Sequence, residues 1–135
     1  MDRLFYFDTS IWLDLLENRG INGPSANQLI SSIIIQKDHI FVSDINLNEL
    51  KRQGYSIIDL QEMLRLFKSP RFQWIHTYRY QTEEARSIAK RRNIPNGDAL
   101  HAILARDNHL IFISRDQDFE KLKDITMTYF PEDFI

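Results

Sequence analysis

Hydrophobic positions along the chain follow two alternating rhythms. Short apolar runs at Leu4–Phe7, Ile40–Val42, Phe72–Ile75 and Leu110–Ile113 are the length of buried strands and are bounded by polar residues. Longer segments between them repeat at helical spacing: Ile11, Trp12, Leu15 and Leu16; then Leu29, Ile30, Ile33 and Ile34; then Ala85, Ile88 and Ala89; then Ala99, Ala102, Ile103 and Ala105. Strands alternating with helices predict βαβ units around a parallel sheet. A fifth, edge strand is expected within Thr126–Phe130, before Pro131.

Capping residues mark the expected helix starts. Ser10 can cap the first helix, Gly23-Pro24 opens the second, and Asn46 can cap a third that Gly54 ends. Ser56-Ile57-Ile58-Asp59 starts a helix expected to reach about Phe67. Thr82 can cap the helix through Arg92, and the turn Asn93–Gly97 separates it from one opening near Asp98. With no repeat, linker or low-complexity tract, the 135 residues read as one α/β domain spanning 1–135.

Composition narrows the chemistry. The absence of Cys removes thiolate catalysis and Cys-ligated metals and points to a cytoplasmic protein. No apolar run exceeds four residues, against roughly 20 for a spanning helix, so neither a membrane segment nor a secretory signal is expected. The net charge of −2 hides an asymmetry: Lys51–Arg92 holds ten Lys and Arg against four Asp and Glu, while the rest is strongly acidic. One part can attract a polyanion, and the other gathers carboxylates.

Four acidic residues hold positions that matter in a parallel sheet, where ligands bind beyond the carboxyl ends of the strands. Asp8 follows the first strand, Glu49 lies early in the helix after the second, Asp98 opens its helix, and Asp116 follows the fourth strand. Each has a structural explanation. Asp8 can cap through an Asx turn, Asn46–Glu49 fits a capping box, Asp98 suits a positive helix terminus, and Asp116 can cap a short helix. Gathered at one edge, however, such carboxylates raise one another's pKa until a cation intervenes. An all-oxygen set suits Mg²⁺ or Mn²⁺, and such a site can hydrolyse a phosphodiester.

The stretches Phe7-Asp8-Thr9-Ser10, Asn48-Glu49-Leu50, Gly97-Asp98-Ala99-Leu100 with Ala102, and Ile113-Ser114-Arg115-Asp116-Gln117-Asp118-Phe119 together resemble the PIN-domain ribonucleases, particularly VapC-like toxins of toxin–antitoxin pairs. The resemblance spans nearly the whole chain. It implies a five-stranded parallel sheet flanked by helices and a Mg²⁺- or Mn²⁺-dependent endoribonuclease leaving 5′-phosphate and 3′-hydroxyl ends. Asp8, Glu49, Asp98 and Asp116 would form its acidic quartet, with Asp118 a second candidate for the last metal position. It also implies single-stranded RNA as substrate, a cognate antitoxin and a homodimer.

Around the quartet, the hydroxyls of Thr9, Ser10 and Ser114 can orient carboxylates or phosphate, and Arg115 can touch a phosphate. Arg86 with Lys90-Arg91-Arg92 can follow an RNA backbone, or simply be a solvated helix face. Tyr55, Trp74, Tyr78 and Tyr80 can stack on unpaired bases or pack in a core. His101, one turn after Asp98, can shuttle a proton but equally fits a packing role. His39, His76 and His109 show no ligand spacing, and Trp12 reads as core or interface. Two other classes compete with a nuclease: a catalytically silent PIN-fold module that binds protein or RNA, and a receiver-like domain, for which no opposing lysine can be placed.

Overall fold

A computed structural model describes residues 2–66 and 70–135. Five strands, β1 (Leu4–Phe7), β2 (His39–Ser43), β3 (Phe72–Ile75), β4 (Ile111–Ile113) and β5 (Thr128–Tyr129), form one sheet in the order β3-β2-β1-β4-β5. All four pairings are parallel. The chain winds outward from β1 through β2 to β3, then returns to the other side of β1 with β4. The reversal of winding lies between β1 and β4, the place beyond the strand ends where open parallel sheets bind ligands.

Among the described residues there are six α-helices, α1 (Thr9–Glu17), α2 (Asn22–Ile35), α3 (Asp44–Arg52), α4 (Ile57–Leu66), α5 (Arg79–Arg92) and α6 (Asn96–Asp107). Alternation along the strands assigns the faces. Phe5 and Phe7 point into a core built with Trp12, Leu29, Ile30 and Ile33 of α1 and α2, whereas Tyr6 points into the opposite core with Ala85, Ile88, Ala102 and Ile103 of α5 and α6. The alanines of α6 allow it to lie close on the sheet, as their spacing predicts.

Several boundaries differ from the sequence reading, each for a local reason. α1 begins at Thr9 with Asp8 in the cap position, and Asp8 makes no side-chain cap hydrogen bond. α3 is capped by Ser43, whose hydroxyl accepts from the Asn46 backbone N–H at 3.2 Å while Asn46 Oδ1 accepts from the Ser43 N–H at 3.1 Å. The capping box is thus Ser43/Asn46, and Glu49 takes no part in it. α5 starts at Arg79, before Thr82, because the Gln81 side chain accepts from the Tyr78 N–H at 2.8 Å. Phe67, the expected end of α4, lies outside the described residues.

Candidate active site

Asp98 stands in the first turn of α6, and Asp116 and Asp118 follow β4 at the start of a 3₁₀ helix, Gln117–Leu122. These three carboxylates each offer an oxygen within 4.8 Å of the others. Asp116 also caps the 3₁₀ helix, its Oδ1 accepting from the Asp118 N–H at 2.9 Å. The capping role that the sequence allows for Asp116 is thus present, and its carboxylate lies with those of Asp98 and Asp118.

Asp8, 8% exposed, sits at the end of β1. Its Oδ2 accepts from Ser10 Oγ and Ser114 Oγ, both at 2.8 Å, and Ser114 Oγ accepts in turn from the Asp116 N–H at 3.0 Å. Ser114 thereby ties the end of β1 to the turn after β4. Burial, and then the charges of Asp8, Asp116 and Glu49, push the Asp98 carboxyl up to about 6. Burial is the larger cause, and the like charges of the nearby carboxylates add to it.

Glu49 reaches the same edge from α3. Its Oε1 accepts from Thr9 Oγ1 at 2.7 Å and lies 2.6 Å from His101 Nε2. Its Oε2 faces Gly97, where an added Cβ would stand only 3.1 Å away, so a residue without a side chain lets Glu49 approach the start of α6. Burial acts to raise the pKa of Glu49, but hydrogen bonds from His101 and Thr9 outweigh it and hold the group below the usual range.

His101 is fully buried, and its Nδ1 lies 2.6 Å from the Tyr6 hydroxyl, itself 2.6 Å from Ser43 Oγ. Because the Glu49 carboxylate can only accept, His101 Nε2 donates to it, and Nδ1 faces the Tyr6 hydroxyl. Burial holds the Tyr6 hydroxyl well above the usual phenol range, so it remains a donor. Asn46 closes the network by donating through Nδ2 to Phe7 O at 3.1 Å and Thr9 Oγ1 at 3.0 Å. The packing role weighed for His101 is thus a polar one. Tyr6, Ser43 and Asn46 escaped the sequence reading as site residues, although a tyrosine hydroxyl inside a buried strand signals a need for a partner.

Other candidates are engaged elsewhere. Arg115 forms a two-pronged ion pair with Glu132 at 3.0 and 2.5 Å, which removes it as a free phosphate ligand. Arg92 pairs with Asp124 through both guanidinium nitrogens, at 2.7 and 2.9 Å, as a staple to the C-terminal segment. Tyr55 packs against the α1–α2 core, as does the fully buried Trp12. Trp74, Tyr78 and Tyr80 are exposed, the two tyrosines stacked with ring centroids 5.8 Å apart.

A sequence profile of the PIN domain matches residues 5–125, from β1 to beyond the acidic turn after β4. The chain belongs to the PIN domain family. No curated protein is similar enough in sequence to count as a match. Among solved structures, this PIN domain is similar to VapBC2 from Rickettsia felis bound to a DNA fragment from its promoter (19% identity, TM-score 0.68, 93% of this chain and 97% of that one). It is also similar to a toxin–antitoxin complex from Klebsiella pneumoniae (19%, TM-score 0.62, 94% and 97%) and to FitAcB from Neisseria gonorrhoeae (19%, TM-score 0.57, 95% and 98%). At such identity these likenesses concern the fold, which is the five-stranded parallel α/β architecture the sequence implies. Among the described residues no helix is long and apolar enough to cross a membrane.

Proposed function

We propose that this PIN domain is a divalent-metal-dependent endoribonuclease, the VapC-like toxin of a toxin–antitoxin pair, with Asp8, Glu49, Asp98 and Asp116 as its acidic quartet and Asp118 as a further metal ligand. The observation that carries the reading is the convergence of Asp98, Asp116 and Asp118 within 4.8 Å, with Asp98 pushed up to about 6 by burial and then by its neighbours' charges. The donor set fits Mg²⁺ or Mn²⁺, since every ligand is a hard carboxylate oxygen and neither Cys nor a free imidazole is among them. When bound, such an ion would neutralise the cluster and polarise the phosphodiester.

The protein's own groups divide the remaining work. Asp98, Asp116 and Asp118 would hold the ion, and Asp8 is fixed at the end of β1 by Ser10 and Ser114. Glu49, kept anionic by His101 and Thr9, leaves Oε2 without a hydrogen bond among the described residues and able to orient an attacking water and accept its proton. Water oxygen then joins phosphorus as the bond to the 3′ oxygen breaks. A 5′-phosphate remains, and the 3′ oxygen takes up a proton.

The toxin assignment draws on the toxin–antitoxin complexes among the structural neighbours, so a cognate antitoxin is part of the proposal. A homodimer and a cytoplasmic setting accompany it from the family resemblance. The deciding experiment incubates purified protein with mixed single-stranded RNA and Mg²⁺ or Mn²⁺, with and without chelator. Cleavage that needs the metal and is lost in Asp98→Asn supports the nuclease. RNA left intact by wild-type protein at millimolar metal, while still bound, would instead favour a silent binding module.

A further inference from the structure

Beside Glu49, a groove of about 460 Å³ runs between α3, α5 and the start of α6, within the roughly 300–1,000 Å³ common for ligand clefts. Each wall is one stripe of a helix. Ile45, Asn48, Glu49 and Arg52 fall at i, i+3, i+4 and i+7 on α3, and Thr82, Ala85 and Arg86 at i, i+3 and i+4 on α5. The third side is Pro95, Asn96 and Gly97, the segment leading into Asp98, and Glu49 itself lines the groove.

The two arginines differ from most guanidiniums of this chain. Arg3, Arg19, Arg79, Arg92, Arg106 and Arg115 are each held by a carboxylate. Among the described residues, Arg52 and Arg86 make no ion pair or side-chain hydrogen bond, and neither do Asn48 and Asn96 nearby. Arg52 is attracted to Glu49 only at longer range. The walls therefore pair two unengaged cations with free amides and an apolar floor that includes Ile45 and Leu100.

We propose that this groove holds the unpaired RNA strand adjoining the scissile phosphate, with Arg52 and Arg86 on its backbone and Asn48 and Asn96 facing its base edges. The inference rests on the nuclease reading above and adds to it where the substrate lies. A phosphodiester at the acidic quartet obliges the next nucleotides to leave along an adjoining surface, and this groove adjoins the quartet at Glu49. Cationic walls suit phosphate, an apolar floor suits a base face, and side-chain amides suit exposed base edges. A paired strand would hide those edges, so single strands are selected.

The test separates binding from cleavage. Full-length protein in EDTA is titrated into fluorescein-labelled oligouridine, and into a labelled RNA hairpin, with anisotropy as the readout. Arg52→Gln and Arg86→Gln are compared with Lys37→Gln, a control on the opposite edge of the sheet, and melting temperatures verify folding. The expected result is on the order of tenfold weaker oligouridine binding for each groove variant, with a salt slope reduced by about one. Lys37→Gln should match wild type, and the hairpin should bind less well than the single strand. If both groove variants bind oligouridine like wild type while the wild type cleaves RNA, the groove assignment is wrong and the nuclease stands. If the groove variants lose binding but no variant or wild type cleaves with metal, the groove stands and the nuclease fails. Absence of RNA binding by wild type, with capture of an acidic peptide at the same arginines, would overturn the assignment in favour of a protein ligand.

Discussion

His101 Nε2 lies 2.6 Å from Glu49 Oε1 with the ring wholly buried, so the position of an acidic side chain at the sheet edge is set from inside the core. The support continues through Tyr6 to Ser43 at the end of β2. His101→Phe removes the ring's hydrogen bonds to Glu49 and Tyr6 and leaves the Tyr6 hydroxyl only Ser43 Oγ as a partner. Losing a buried hydrogen bond costs about 0.5–1.5 kcal/mol, which urea unfolding should register. Tyr6→Phe should cost a similar amount, and both variants should lose RNA cleavage more severely than affinity for RNA.

Asp98 predicts an unusual dependence of stability on pH. Its folded pKa of about 6 lies above the ordinary 3.8, so the folded state holds this proton more tightly than the unfolded chain does. The stabilisation is fully present below about 4 and is lost as pH rises through 6. Without metal, Asp98→Asn should therefore be more stable than wild type at pH 7–8, and the difference should vanish as pH falls toward 4. Paired denaturant titrations in EDTA measure it.

Metal should act in the opposite sense. Mg²⁺ or Mn²⁺ relieves the carboxylate repulsion and raises the melting temperature, by about 2.7 kcal/mol of stability when its concentration is a hundred times Kd. EDTA should reverse the shift, and Asp98→Asn should reduce it. As pH falls below 6, protons compete for Asp98 and the metal-induced shift should shrink.

The strands were legible in the sequence because parallel strands covered on both faces read as near-continuous apolar runs, and Leu4–Phe7 and Ile111–Ile113 are such runs. That Asp98 and Asp116 come together was legible for the same reason, since one stands where a helix begins and the other where a strand has ended. The support beneath them was not. Whether Tyr6 meets His101 depends on which face of β1 it occupies, and His101 lies 95 residues away in the chain. Nor could spacing alone rank two good caps three residues apart. Ser43 caps α3 because Asn46 sends its amide across to Phe7 and Thr9. Asp118 joins Asp98 and Asp116 through the tight 3₁₀ turn that Asp116 itself caps.

Gly97 offers a test that separates activity from stability. Ala at this position favours a helix by about 1 kcal/mol over Gly, yet its Cβ would press on Glu49 Oε2. Gly97→Ala should keep or raise the melting temperature while lowering RNA cleavage on the order of tenfold, since small displacements of reacting groups are costly. Melting curves and initial rates on one preparation decide it.

The most direct measurement is an anomalous-scattering experiment on crystals soaked in Mn²⁺, with Asp98→Asn crystals as the control. The account predicts a strong peak bounded by the carboxylates of Asp98, Asp116 and Asp118, beside Asp8, which weakens or disappears in the variant. A wild-type crystal saturated with Mn²⁺ and showing no peak among these side chains would contradict it.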